Sequence, residues 1–414
     1  MPTRKLIETA AGNELIRKKE SIVKGMDLKK HLSESRTLIF SQRKMSRILP
    51  FRCAHFEFED VIAEIDCVDF LTPRFNPATL RHSIAKQLAY HTPATFNPGV
   101  EQIPIEKDYE LFFAICGDPT DLLRINVASW RSKCKRAICL IDELWVRELT
   151  AYRKFLRLLD KFDLVILYYS QTVEPLSKII GTKCVFMPPA VDAIRFCPYP
   201  TPPERVVDIY SIGRRSAVTH KAFLRMAAEE GVFYLHDSTS ADQVLDPIEH
   251  RRLFANIAKR SRYFIVNPGL IDRPDVRGNQ IEIGNRYFEG AAAGNILLGE
   301  RPRNGEFEVL FNWPDALIDL PYNSPDAEAI VRELDDQPER CAKIRRLNVQ
   351  QSLIRHDWVY RWETILNQVG ATPLQGLEAR KRQLQCLADG ILKKQCLSET
   401  SNGGLDSQAM RRSL

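Results

Sequence analysis

The segment from Asn285 to Glu300, NRYFEGAAAGNILLGE, combines a carboxylate with a tract of small residues. Glu289 is followed directly by Gly290-Ala-Ala-Ala-Gly294, and an apolar stretch of strand length comes next. Small residues let a backbone approach another backbone or a ligand closely, and a carboxylate here could accept two hydrogen bonds from a vicinal diol such as ribose. The same pattern is typical of a helix that only packs tightly on a sheet and exposes its Glu. The pattern alone leaves both interpretations open.

A second segment, Ile209 to Lys221, places a glycine and basic side chains after an apolar run of strand length. Gly213 would leave room for phosphate oxygens at the carboxyl end of that strand, and Arg214 and Lys221 would neutralise their charge. A solvated basic loop has the same composition. The chain contains neither a G-x-G-x-x-G motif nor a P-loop motif that would make the phosphate interpretation specific.

Three acidic residues in the first half of the chain follow apolar runs in the same way. Asp142 and Glu143 follow AICLI, and Asp118 follows LFFAIC. Ligands of open α/β sheets bind beyond the carboxyl ends of the strands, so these side chains are predicted to face a cleft. The alternative for each is a helix cap or a turn residue, and Asp118-Pro119 is an ordinary turn signal.

The elements that position these residues follow a βα rhythm, which predicts a mainly parallel sheet covered by helices. Between the strands, Val146 to Lys161 carries apolar residues at helical spacing. The apolar runs of the first half are Thr37–Ser41, Leu111–Cys116, Ala137–Ile141, Asp163–Tyr169 and Cys184–Met187.

A proline-rich break, PYPTPP at residues 198–203, separates this rhythm from a second one. We therefore predict two Rossmann-like α/β domains whose parallel sheets face a cleft. Helical spacing returns in Asp326 to Val349, and Trp358 to Val369 is predicted to be an amphipathic closing helix. The apolar runs of the second half are Val207–Ile212, Val232–His236, Tyr263–Asn267, Asn295–Leu298 and Ala316–Leu320.

The charge of the chain is concentrated at its two ends. The 414 residues carry 59 Lys+Arg and 53 Asp+Glu, a formal charge of +6. Residues 1–31 account for +4 and residues 371–414 for +3, which leaves the body close to neutral. The predicted organisation is a helical or mobile basic arm at 1–31, an N-terminal domain at 32–197, a C-terminal domain at 198–355, a closing helix at 356–370, and a basic, partly disordered tail at 371–414.

The distribution of apolar residues argues against a membrane-spanning protein and against an exported one. No apolar run approaches the roughly 18–20 residues of a transmembrane helix, and the amino terminus lacks the apolar core of a secretory signal. The ten cysteines include no C-x-x-C pair. A reduced cytoplasm fits this cysteine usage, and we expect no structural metal.

The two segments described first, in this order, resemble glycosyltransferases of the GT-B class, specifically the group-1-like families. Gly213-Arg214 with Lys221 looks like the family's pair that holds the donor diphosphate. The sequence from Glu289 to Gly294 is similar to the second half of the family's E-x7-E motif, whose later Glu binds the donor ribose. Arg286-Tyr287-Phe288-Glu289 is similar to the spore-coat-maturation type. His356-Asp-Trp358 resembles the family's terminal helix, which implies that the closing helix at 356–370 crosses back to the first domain.

This resemblance implies a retaining, metal-independent transfer from a nucleotide-sugar donor, a UDP- or GDP-sugar that serves as co-substrate, with no bound cofactor and no metal. Positive charge aimed at the leaving diphosphate would be the largest catalytic contribution. The implied catalytic residues are Arg214, Lys221 and Glu282. The implied donor-binding residues are Gly213, Arg214, Lys221, Arg286, Glu289 and Gly294. Asp118, Asp142 and Glu143 are the predicted acceptor-side residues.

One position departs from the family motif. Eight residues before Glu289, where the first Glu of the motif would lie, the chain has Ile281, and the nearest acid is Glu282. Either Glu282 takes over the role near the donor sugar through a local bulge, or this subgroup functions without that carboxylate.

The function predicted from the sequence is transfer of a sugar to a glycan, a lipid-linked acceptor or a cell-surface polysaccharide precursor. The alternative is a catalytically inactive GT-B-fold protein that binds nucleotides or serves as a scaffold. Nucleic-acid binding by the basic ends is a weaker hypothesis, because the body carries no excess of positive charge. We instead expect a cytoplasmic protein whose basic ends contact the inner face of the membrane peripherally.

Overall fold

The computed structural model of the chain describes residues 35–45, 48–76, 79–92, 96–126, 129–236 and 244–391. The predicted arm at 1–31 and residues 392–414 of the predicted tail lie outside these ranges.

Within the described ranges, the first sheet has six parallel strands in the order β2-β1-β3-β4-β5-β6. The strand runs predicted for the first half are confirmed, each shifted by at most a few residues at its ends. The strand between Val68 and Leu71 was not predicted, because it is a four-residue edge strand with an acid at its second position and no buried run. The strands are β1 Thr37–Phe40, β2 Val68–Leu71, β3 Tyr109–Cys116, β4 Cys134–Ile141, β5 Leu164–Leu167 and β6 Lys183–Phe186.

The second sheet, over the same described ranges, has five parallel strands in the order β11-β10-β9-β7-β8. All the strand runs predicted for the second half are found, and the prediction of two parallel-sheet α/β domains is confirmed. These strands are β7 Val207–Ser211, β8 Tyr234–His236, β9 Ser261–Val266, β10 Ile296–Gly299 and β11 Ile318–Asp319.

Helices cover both sheets, and most begin at a polar cap or a proline. The helix predicted at 146–161 is an α-helix with a 3-10 turn at each end. The helices are α1 Cys53–Ile65, α2 Leu80–His91, α3 Leu122–Ile125, α4 Leu149–Leu156, α5 Ser170–Ser177, α6 Ala193–Phe196, α7 Ala217–Glu229, α8 Pro247–Lys259, α9 Pro274–Arg277, α10 Asn285–Ala292, α11 Gly305–Leu310, α12 Ala327–Asp335, α13 Pro338–Arg355 and α14 Trp358–Val369. Within the described part of the chain, no helix combines the length and the apolar character that a membrane span requires.

Each sheet has a topological switch point, a strand from which successive connections lead to opposite sides. In the first sheet β2 lies on one side of β1 and β3 on the other, and in the second sheet β8 and β9 flank β7 in the same way. Open α/β sheets bind ligands at the carboxyl ends of the strands beside such a point. The loops after β7 and β9 are therefore positioned to hold a ligand.

The last long helix of the second half, α14, lies against the first domain. The Trp358 ring stacks on Phe58 of α1 with ring centroids 4.6 Å apart. The indole N–H of Trp362 donates to Asp66 Oδ2 at 2.9 Å. The chain thus returns to the first domain after it has completed the second.

A further helix, α15 at residues 375–391, lies within the segment that the sequence predicted to be a tail. Leu377, Leu384, Ala388 and Ile391 are buried in the same core as α1 and α14. Arg380 donates to Asp192 Oδ1 at 2.7 Å and to Asp357 Oδ1 at 2.8 Å. The folded body therefore continues to residue 391, because a narrow apolar stripe is buried even though most of this helix is polar.

Candidate functional site

A cavity of about 360 Å³ lies between the two domains and is lined by loops from both sheets. The first domain contributes residues that follow β4 and β5 and residues at the start of α1. The second domain contributes residues that follow β7 and β9 and one face each of α8 and α10. Six of the predicted site residues line this cavity: Asp142, Glu143, Gly213, Arg214, Arg286 and Glu289.

Gly213 and Arg214 follow β7 at the switch point of the second sheet. Gly213 has φ +89°, and no described atom would lie within 4 Å of a Cβ there, so the backbone conformation rather than crowding favours glycine. Arg214 forms an ion pair with Asp272 at 3.0 Å, and its side chain is 47% exposed. An exposed ion pair of this kind contributes little stability, so the guanidinium can exchange Asp272 for an anionic ligand.

Glu289 lies on α10 and is held by two arginines. Arg251 Nη1 donates to Oε1 and Arg286 Nη1 donates to Oε2, both at 2.5 Å. Burial alone would raise the pKa of Glu289, but the charges of Arg286 and Arg251 outweigh it and leave the pKa below its ordinary value. Each oxygen of an ionised carboxylate can accept a second hydrogen bond. The Glu289 oxygens can therefore still accept hydrogen bonds from the hydroxyl groups of a ligand in the cavity.

The glycines beside Glu289 pack the helix and do not line the cavity. A Cβ at Gly290 would lie 2.6 Å from Leu297 Cδ2 and 2.8 Å from Phe264 Cδ1, so α10 contacts the sheet through backbone. Gly294 has φ +70° and ends α10, since its N–H donates to Ala291 and the next N–H donates to Gly290. The small-residue tract therefore serves packing at both glycines. Of the described residues 289–294, only Glu289 lines the cavity, and Gly294 does not.

Arg251, which the sequence analysis missed, links Glu289 to the first domain. Its Nε donates to Glu57 Oε2 at 2.8 Å and its Nη2 donates to Glu57 Oε1 at 3.1 Å. Glu57 lies on α1. The spacing of Arg251 with Phe254, Ala255 and Ala258 puts the arginine on the buried face of α8, and this helical period was the available signal.

On the first-domain wall of the cavity, two acids follow β4. Asp142 Oδ2 lies 2.7 Å from His55 Nε2, a second residue that the sequence analysis missed. Glu143 accepts a hydrogen bond from the Trp145 indole N–H at 2.8 Å, and burial raises its pKa. This wall therefore presents an Asp that is oriented by a buried imidazole.

Besides Gly294, the predicted residues Lys221 and Asp118 do not line the cavity. Lys221 is exposed on α7, because Thr219, Ala222 and Phe223 take the buried face of that helix. Asp118 accepts the N–H of Thr120 at 2.8 Å and caps the 3-10 turn that begins at Pro119, which is the alternative interpretation given above.

Glu282 also lies outside the cavity lining and contacts the first domain. It accepts a hydrogen bond from Gln280 Nε2 at 2.7 Å and from the backbone N–H groups of Ser170 and Gln171 at the start of α5. Burial raises its pKa to about 7, and these hydrogen bonds only partly oppose the shift. Glu282 thus joins the loop before α10 to the other domain, and it is not among the residues that line the cavity.

The described residues hold no group of three or more His, Cys, Asp or Glu side chains arranged to bind a metal ion. The cationic groups that face the cavity are guanidinium groups of the chain itself, from Arg214, Arg251 and Arg286.

Comparisons with known proteins agree with this architecture. Residues 219–367 match the family model described as glycosyl transferase-like. HepE from Anabaena, solved in complex with UDP and glucose, is similar in structure, with a TM-score of 0.51 and 11% identity over 81% of this chain and 100% of that chain. Sucrose-phosphate synthase from Thermosynechococcus elongatus gives a TM-score of 0.48 and 11% identity over 81% of this chain and 98% of that chain. No curated protein matches the chain significantly in sequence. The likeness to HepE shows a GT-B fold.

Proposed function

We propose that this chain, a glycosyltransferase with a GT-B fold, moves a sugar from a nucleotide-sugar donor to an acceptor hydroxyl in the cavity between its domains. One observation carries the proposal. The cavity sets Gly213, Arg214 and Glu289 of the second domain opposite Asp142 of the first domain. Groups suited to a diphosphate and a ribose thus face a group suited to a hydroxyl.

The donor would bind along the second domain. The backbone turn at Gly213 gives phosphate oxygens access to the end of β7, and Arg214 pairs with their charge in place of Asp272. The ribose hydroxyls would donate to Glu289, whose low pKa keeps it ionised and able to accept. The complex of HepE with UDP supports a nucleoside diphosphate as the common part of the donor.

The chemical step breaks the bond between the sugar and the diphosphate. Negative charge develops on the leaving phosphate oxygen, and fixed cations that face this oxygen lower the barrier. Arg214 and Arg286 are the groups we assign to this role, because both line the cavity and Lys221 does not. We propose that the reaction requires no metal, since these guanidinium groups can supply the positive charge.

The acceptor would enter from the first domain. Asp142 can accept a hydrogen bond from the reacting hydroxyl, and its contact with His55 fixes the direction of the carboxylate. We propose a retaining transfer, as the family resemblance implies, in which Asp142 orients the acceptor. The acceptor class we propose is a glycan or a lipid-linked glycan precursor.

A nucleotide-binding protein without turnover is the second candidate. One observation favours it: Glu282, the nearest acid to the first position of the family motif, is directed at α5 and away from the cavity. Such a protein would bind the donor through the same second-domain residues.

Turnover separates the two candidates. Purified protein is incubated with UDP- and GDP-sugars and a panel of glycan and lipid-linked acceptors, and release of the nucleoside diphosphate is measured together with product. We expect transfer or slow donor hydrolysis with one donor, and loss of both in Arg214→Ala and Glu289→Ala. Binding of a nucleotide without any turnover across the panel would support the inactive alternative.

A further inference from the structure

We propose that Glu57, on the first domain, is a positioning residue for the donor carboxylate Glu289 on the second domain, and that it acts through Arg251. The inference rests on the donor site proposed above. It adds a determinant of donor affinity that does not itself line the cavity.

The guanidinium of Arg251 is shared between the two carboxylates. Its Nε and Nη2 bind both oxygens of Glu57, and its remaining Nη1 binds Glu289. The three side chains are almost completely buried, with exposed fractions of 3% for Arg251, 0% for Glu57 and 1% for Glu289. A bidentate pair fixes the plane of the guanidinium, so Glu57 determines where Nη1 points.

The direction of Nη1 in turn determines the orientation of Glu289. Arg286 holds Oε2 and Arg251 holds Oε1, so the carboxylate plane is set by two contacts. If the contact with Arg251 were weakened, Arg286 alone would hold the carboxylate. The carboxylate could then rotate about the Cγ–Cδ bond. A pair of ribose hydroxyls needs both oxygens at fixed positions, because two hydrogen bonds must form at the same time.

Glu57 is itself held by the elements that join the domains. Its Oε1 accepts the backbone N–H of Asp192, in the segment that leads to the second domain, and the indole N–H of Trp358, at the start of α14. The donor carboxylate is therefore oriented only while the first domain, α14 and this connecting segment are seated as they are here. By linkage, a donor that prefers the oriented carboxylate also stabilises this domain arrangement.

The surroundings of Glu57, Arg251 and Glu289 favour the charged form of each side chain. Burial would raise the pKa of Glu57, but Arg251 and Arg195 lower it below its ordinary value, and Glu289 is lowered by Arg286 and Arg251. The pKa of Arg251 is raised by the two carboxylates, which outweigh its burial. Replacing Glu57 by its neutral isostere Gln therefore removes the charge of this side chain with little change in its shape, and tests the ionic contact with Arg251.

The test is a double-mutant cycle on nucleotide affinity, measured by calorimetry with UDP and with GDP on the full chain. In the wild-type background, Glu57→Gln is expected to weaken binding of the preferred nucleotide by about tenfold, which corresponds to about 1.4 kcal/mol. In the Glu289→Gln background, the same change is expected to have less than about a twofold effect, because the carboxylate that it orients is gone.

The matched control is Glu59→Gln on the same helix. Glu59 is also buried and pairs with Arg43 at 3.0 Å, within the first domain. Its loss is expected to lower stability while nucleotide affinity is unchanged. If Glu57→Gln does not fold, Glu57→Asp replaces it, because the shorter side chain keeps the charge but withdraws it from Arg251.

The outcomes separate this inference from the proposed function. If neither UDP nor GDP binds the wild type, or Glu289→Gln binds as the wild type does, the donor site itself is wrong and the inference falls with it. If Glu289→Gln weakens binding but the change at Glu57 does not, only the inference is overturned. Independent effects that add in the double variant would also overturn it, since they would show that Glu57 acts without Glu289.

Discussion

The Nε2 atom of His55 lies 2.7 Å from the Oδ2 atom of Asp142, at the point where α1 meets the end of β4. His55 comes from a helix that is buried along most of its length, and Asp142 opens into the cavity between the domains. The pair gives the first domain one oriented carboxylate in the cavity that Gly213, Arg214 and Glu289 of the second domain also line.

We expect Asp142→Asn to lower kcat by about 10²-fold, because the amide keeps the shape of the side chain but is a weaker acceptor for the reacting hydroxyl. Nucleotide affinity should not change, since Asp142 lies on the opposite wall from Gly213 and Glu289. Steady-state kinetics and calorimetry check this. Asp118→Asn is the control at another strand end, outside the cavity, and should retain full activity. An Asp142→Asn enzyme with the kcat of the wild type would contradict the acceptor role.

We expect Arg214→Ala to lower kcat/KM by roughly 10²- to 10³-fold, since it removes a cation that we assign to the leaving diphosphate. Lys221→Ala should change kcat/KM less than about twofold, because that side chain is exposed on α7. Both variants are assayed for nucleotide release with the same donor. A larger loss in the Lys221 variant would show that the diphosphate lies near Lys221, as the family resemblance implies, and would contradict the role assigned to Arg214.

The raised pKa of Glu282, about 7 against an ordinary 4.5, makes the folded state bind a proton that the unfolded state releases. The stability contributed by this group is therefore present at low pH and is lost as the pH rises from about 5 to 8. We expect the unfolding free energy of the wild type to fall relative to Glu282→Gln by up to about 3 kcal/mol over this window. Urea denaturation of both proteins at pH 5 and pH 8 measures it. If the difference in unfolding free energy between the two proteins stays constant with pH, burial does not shift the pKa of this carboxyl group.

We expect Gly294→Ala to destabilise the fold by about 1–3 kcal/mol while nucleotide affinity is retained. A Cβ there would lie 2.8 Å from Val349 Cγ2, and the φ of +70° disfavours every residue with a side chain. Gly305→Ala, where no described atom lies within 4 Å of the new Cβ, is the control. Thermal unfolding and calorimetry are measured for both. Loss of nucleotide binding in a stable Gly294→Ala protein would instead make this glycine part of the donor site.

The basic ends are expected to bind anionic membranes. Because α15 extends the folded body to residue 391, the deletion that tests this removes residues 1–31 and 392–414 and leaves Arg380 in place. The full chain should float with vesicles that contain phosphatidylserine, and the truncated chain should not. Equal flotation of the two proteins would place any membrane contact on the folded domains.

The two sheets could be predicted because most of their strands are buried on both faces and appear as continuous apolar runs, of which β3 and β4 are the longest. The helix α1 gave no such signal. Its sequence, CAHFEFEDVIAEI, buries His55, Glu57 and Glu59 among apolar residues, so polar side chains lie on its buried side as well as at the exposed Glu64 and do not define a period. The partners of His55 and Glu57 lie 87 and 194 residues away in the chain, and only the folded structure shows them.

The same physical limit separates the site residues that were predicted from those that were missed. Glu289 and Gly213 could be found because local spacing marks a strand end or a tight helix. Arg251 could not be assigned a role, since its function depends on Glu57, 194 residues away. The resemblance to the family's Gly-Arg with a following Lys predicted Lys221 at the site, but Ser216 caps α7 and sets the helix so that Lys221 faces outward.

The most direct test of the central claim is the structure of the chain with its nucleotide bound, from crystals soaked in turn with UDP and GDP. We predict density for the diphosphate at Gly213 and Arg214, with the ribose hydroxyls within hydrogen-bond distance of the Glu289 carboxylate. Density for an ordered nucleotide away from both Gly213 and Glu289 would contradict the account.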